Sequence, residues 1–142
     1  MKITICGSMK FARKMYEVYK FLSTKGHEVF LPEFVIEFID GKLEWELGTL
    51  SSEDGAEKKK KNDLICKHYY KIQESDAILV INEEKNGIKN YIGANTLIEM
   101  AFAHVLNKKT YLLNGFPEFD YLLEEVKAME PIILNGDLDK IK

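Results

Sequence analysis

The run Ala77-Ile78-Leu79-Val80-Ile81 limits what this chain can become more than any other stretch. Five consecutive apolar residues cannot alternate between core and solvent, so a strand built from them must be covered on both faces. Parallel strands lying between two helix layers are covered in this way. Other strand-like runs recur at 3–6, 27–31, 110–113 and 132–134. Between them the spacing changes to one apolar residue every three or four positions. Phe11, Met15, Val18, Tyr19 and Leu22 mark a helix over about 10–25, ended by Gly26. Leu64, Ile65, His68, Tyr69 and Ile72 mark a second, starting near 57. A third spans 95–106, with Leu97, Ile98, Ala101, Phe102 and Val105 as its expected inward stripe, and a fourth spans 121–129. Five strands interleaved with helices predict a three-layer α/β sandwich with a mostly parallel five-stranded sheet and right-handed crossovers.

Length places the whole chain, 1–142, in one domain. The longest apolar runs are far shorter than the roughly 20 residues a membrane helix needs, and the N-terminus enters a strand without a signal-peptide core, so a cytoplasmic protein without membrane contact is expected. A formal net charge of −3 argues against a nucleic-acid polymer as partner. The run Lys58-Lys59-Lys60-Lys61 reads as a solvated face. Cys6 and Cys66 show no paired spacing and no His cluster near them in the sequence, so both are expected as reduced thiols, with neither metal nor cofactor. Residues 33–55 form an irregular insertion with the one tryptophan, Trp45, in which 34–39 fits strand or helix equally.

Chemistry-bearing groups gather after the first and third strands, where open α/β folds keep their ligand crevice. Cys6-Gly7-Ser8-Met9 makes the first turn: Gly7 allows close backbone approach, and Ser8 with nearby N–H groups could hold a phosphate or sugar oxygen. The segment from Tyr91 through Gly93 and Asn95 leads to Glu99, expected in the first turn of the third helix. There the helix N-terminus would favour an ionised carboxylate able to act as a nucleophile. Thr96-Leu97-Ile98-Glu99 also fits a capping box, in which Glu99 would only satisfy its own backbone. Tyr91 could hold Glu99 through its hydroxyl, and Asn90 and Asn95 could read hydroxyls or a base edge. Asp63 or His68 could give a proton to a leaving group. Asp76, at the start of the central strand, reads as structural.

Taken in order, Cys6-Gly7-Ser8, the strand entry 75–80, Asn90-Tyr91-Ile92-Gly93, and Glu99-Met100-Ala101-Phe102-Ala103 before Asn107-Lys108-Lys109 resemble the nucleoside 2-deoxyribosyltransferase family and its deoxynucleoside monophosphate N-glycosidase relatives. The likeness runs over residues 2–114. It implies a flavodoxin-like (Rossmann-like) fold, a homo-oligomer, and a small-molecule nucleoside or nucleotide as substrate. In that family a glutamate at the position of Glu99 attacks C1′ of the deoxyribose, and the glycosyl intermediate is resolved by water or a second base. The implied activity is N-glycosidic bond cleavage or deoxyribosyl transfer. The chain differs from the family pattern at His68, where an acidic residue is usual, at Gly93, where a serine or acid is usual, and in a longer loop over 82–95. These differences motivate an alternative, a non-catalytic nucleotide-binding or regulatory module. An interaction protein using the Trp45 segment is a third reading.

Overall fold

A computed structural model describes residues 1–41, 60 and 63–142. Trp45 and all of the lysine run except the exposed Lys60 lie outside the described residues. The strands are β1 (Lys2–Gly7), β2 (Glu28–Phe30), β3 (Ala77–Ile81), β4 (Lys109–Leu112) and β5 (Ile132–Ile133). The helices are α1 (Ala12–Thr24), α2 (Val35–Ile39), α3 (Leu64–Glu74), α4 (Ala94–Val105) and α5 (Asp120–Ala128), with short 3-10 turns at Met9–Phe11 and Leu138–Lys140. The sheet order is β2-β1-β3-β4-β5, and every pairing is parallel.

The central strand is β3, and all five of its residues are buried. Its side chains alternate between two cores. Ala77, Leu79 and Ile81 join Ile3, Ile5 and the buried stripe of α1, whereas Ile78 and Val80 join Cys6, Ile72 of α3, Met100 and Ala103 of α4, and Leu122 and Val126 of α5. The chain moves from β1 outward to β2 through α1, and in the opposite direction along the sheet through α3, α4 and α5. Right-handed crossovers in opposite directions put their helices on opposite faces, which is the division observed. The order reverses between β1 and β3, and the crevice beyond their carboxyl ends is where such sheets bind ligands.

At that edge Gly7 pairs with Ile81 at a φ of 151°. A Cβ there would come within 2.8 Å of the Ile81 carbonyl oxygen and 2.9 Å of the Met15 methyl, so no larger residue fits without displacing the strand end. At the opposite edge Asp76 accepts a hydrogen bond from the Lys2 amide at 2.7 Å, the structural role its position suggested. Residues 35–39 prove helical, entered through Phe34 in a left-handed conformation (φ 72°).

Two expected helix faces are corrected. In α3, His68 and Ile72 are buried but Ile65 is exposed. In α4 the buried residues are Thr96, Glu99, Met100 and Ala103, whereas Ile98 is 43% and Val105 76% exposed and Ala101 also faces solvent. Apolar residues surround α4 on most sides, so periodicity alone could not choose its inner face. The orientation chosen buries a carboxylate.

Candidate active site

Three elements meet beneath the switch point. Along β1 the even-numbered Thr4 and Cys6 point to the face covered by α3 and α4. Thr4 Oγ1 lies 2.7 Å from Ser75 Oγ, which donates to the Lys71 carbonyl at 2.8 Å, tying the end of α3 to β1. Lys71 reaches the Leu31 carbonyl at 2.9 Å and the Glu33 carboxylate at 2.8 Å, anchoring the same helix to the segment after β2. Across from it the rings of Tyr69 and Phe102 meet edge-on at 5.1 Å, joining α3 to α4. This framework holds His68 and Glu99 over Cys6.

The Cys6 Sγ lies 3.4 Å from His68 Nε2, and His68 Nε2 lies 3.6 Å from Glu99 Oε2. The ligating atoms of all three residues fall within 4.8 Å of one another. Each residue is buried: Cys6 fully, His68 to 6% exposure and Glu99 to 7%. Burial, reinforced by Lys71, lowers the His68 pKa to about 4 even though Glu33 opposes the shift. The imidazole is therefore neutral at pH 7, and its contact with Glu99 is neither an ion pair nor, at that length, a strong hydrogen bond. Burial and then the Glu99 carboxylate push the Cys6 thiol well above its ordinary range, so it stays protonated. Asn95 Nδ2 donates to Glu99 Oε1 at 2.9 Å from one turn earlier in α4. That bond fixes one carboxylate oxygen and leaves the other facing His68.

Glu99 does not cap its helix. Gly93 flanks α4 and Ala94 is its first residue, which places Thr96 third and Glu99 sixth. Glu99 thus stands in the second turn, not the first, and its carboxylate is turned sideways toward β1 and α3.

The remaining candidates divide into two groups. Ser8 caps the 3-10 turn, accepting from the Lys10 amide at 3.3 Å, and also accepts from Lys85 Nζ at 3.0 Å. Lys85 lies 4.9 Å from the Tyr91 ring centroid, and the Tyr91 hydroxyl crosses Gly93, 3.2 Å from a notional Cβ, so a side chain there would make the ring shift by a few tenths of an ångström. Burial and then Lys10 hold Lys85 below its usual pKa. Ser8, Lys10, Lys85 and Tyr91 therefore form a cationic corner at the sheet edge. Met9 packs into the α1 core. Tyr91 belongs to this corner and, among the described hydrogen bonds, does not hold Glu99. Asn90 Nδ2 is taken by the Phe116 carbonyl at 3.0 Å, so this amide braces a loop. Asp63 flanks α3 at its exposed N-terminal end, where its carboxylate accepts from the Cys66 thiol and raises that thiol's pKa. It is outside the buried cluster.

A solved structure shares this fold. The structure of Clostridium botulinum CMP N-glycosidase, BcmB, matches 95% of this chain and 90% of that chain, with a TM-score of 0.51 and 18% sequence identity. At that identity the likeness speaks for architecture. The sequence matches no protein-family model and no curated protein.

Sequence reasoning missed three contributors. Cys6 carries no sequence signal beyond that of a reduced thiol, although the period-two alternation of β1 sets it on the same face as Thr4. Lys85 sits in a polar loop with no periodic signal. Asn82, fully buried at the end of β3, donates to the Gly115 carbonyl at 2.8 Å and accepts from the Asn114 amide at 2.9 Å, which joins the two loops that frame the crevice.

Proposed function

We propose that the chain cleaves the N-glycosidic bond of a nucleoside or nucleotide, with Glu99 as the nucleophile. The observation that carries this reading is a carboxylate buried beneath the sheet's switch point, held at Oε1 by Asn95, on a helix that leaves Ile98 and Val105 in solvent. Burying an ionisable group while exposing apolar ones is unfavourable for folding, and such reversals concentrate at functional sites. The fold shared with a CMP N-glycosidase supports the same reading.

In this mechanism Glu99 Oε2 forms a bond to C1′ as the C1′–N bond breaks. The base departs with the bonding electrons and takes a proton from water. Water, or a second base, then attacks C1′ and releases the carboxylate. His68 is a positioning residue here: a neutral ring with a pKa of about 4 is a poor acid, and it lies against the nucleophile rather than on the opposite side of the sugar. The cationic corner of Ser8, Lys10 and Lys85 suits an anionic group and favours a nucleoside monophosphate over the uncharged nucleoside. Self-association and the cytoplasmic setting belong to the same proposal.

Free base released from deoxynucleoside and nucleoside monophosphates, followed by chromatography, tests the proposal. Glu99→Gln should reduce release by on the order of 10³-fold or more while the fold is retained. Equal release by the variant would remove Glu99 from the chemistry. The near-complete burial of Glu99 favours one second reading, nucleotide binding without turnover, which predicts calorimetric binding and no free base from the unaltered chain.

A further inference from the structure

We propose that Cys6, His68 and Glu99 form a three-ligand site for a divalent transition-metal ion of the zinc class. A tetrahedral zinc ion with sulfur at about 2.3 Å and nitrogen or oxygen at about 2.0–2.1 Å places sulfur roughly 3.5–3.6 Å from nitrogen and nitrogen roughly 3.3–3.4 Å from oxygen, each within about 0.3 Å of the separations here. The Cys6–His68 and His68–Glu99 separations are 3.4 and 3.6 Å, and the third edge of the triangle lies within 4.8 Å. A small movement of one side chain closes it.

The donor set also selects the ion. One thiolate, one imidazole and one carboxylate suit a borderline-soft cation and disfavour magnesium or calcium, which take oxygen shells. The donors come from β1, α3 and α4, so the site is built by tertiary packing and is invisible to sequence spacing. Asn95 already supplies the outer-sphere hydrogen bond that such sites use: its amide holds Glu99 Oε1 at 2.9 Å. Three protein ligands leave a fourth position for water. On binding, the Cys6 proton passes to solvent as the metal–sulfur bond forms, and no group is oxidised or reduced.

Glu99 is also the nucleophile of the function proposed above. On that reading, which this consequence rests on, zinc occupancy and turnover exclude each other, and the ion acts as an inhibitor seated on the reacting oxygen.

Cobalt(II) titrated into the chelator-treated chain provides the test. The site should give thiolate-to-cobalt charge-transfer absorption and strong tetrahedral d–d bands saturating at one equivalent, and zinc should displace them. Cys66→Ser, which alters an exposed thiol, should leave the bands intact. Cys6→Ser and His68→Gln should abolish them. Absence of the bands in the unaltered chain overturns the site without recourse to any variant, as does their loss in Cys66→Ser with retention in Cys6→Ser. Base release by a chain that gives no cobalt bands overturns the metal site and leaves the glycosidic reading standing. Cobalt bands in a chain that releases no base even when metal-free support the site and count against that reading.

Discussion

At the scale of single residues, His68 makes the cluster sensitive to acid. Its pKa falls from 6.5 to about 4 on folding, chiefly through burial. Between those values the unfolded chain binds a proton that the native chain does not, so stability declines as pH falls through that window. The loss is fully developed below about pH 4. At about 1.4 kcal/mol per pH unit it amounts to about 3 kcal/mol. Glu33, held below the usual carboxylate range by Lys71, adds a further loss at lower pH. Urea midpoints measured from pH 7 to pH 4 should therefore fall steeply, and His68→Gln should flatten the slope. An unchanged slope in that variant would place the acid sensitivity elsewhere. Glu99 could be named from sequence because it follows a glycine-containing loop at a crevice. His68 could be named too, as a proton donor, but its meeting with Cys6 could not, because the two are 62 residues apart and come together only after the sheet forms.

Among the elements, those with one strong period were legible and those without were not. β3 is the strand its five apolar residues require, and α1 buries Met15, Val18 and Leu22 as its stripe dictates. The apolar residues of α4 are spread around its axis, so the face that packs was decided by its neighbours. Tyr69 of α3 meets Phe102, and the strands beneath receive Met100 and Ala103. The loop following β3 carried no signal of its order. Asn82 supplies it by bridging to Gly115 and Asn114, and Asn114 Nδ2 returns a third bond to the Asn82 carbonyl at 3.2 Å. Removing this side chain strands a carbonyl and an amide in a partly buried setting. Asn82→Ala should cost about 1–3 kcal/mol by chemical denaturation and increase amide exchange in both loops. Normal protection there would show that the loops are ordered independently.

For the molecule as a whole, the order of the strands reverses between β1 and β3, the place where open α/β sheets bind ligands, and the cluster lies directly beneath it. The outward side of α4 has a different character. Leu97, Ile98, Ala101 and Val105 form with Ala128 and Met129 an apolar groove on the side of α4 away from Glu99. If, as we propose, the chain self-associates through this groove, a second copy would remove Val105 from water. Sedimentation should then show an assembly that Val105→Asp converts to monomer, while a monomeric unaltered chain would exclude it. Gly7 has a longer reach than its size suggests. Sliding β1 by one residue would bring a side chain against the Ile81 carbonyl and turn Cys6 to the α1 face, away from its two companions. The hydrogen atom at that position thus works as a detent, admitting a single alignment of the first strand and making assembly of the Cys6, His68 and Glu99 cluster an all-or-none property of the folded chain.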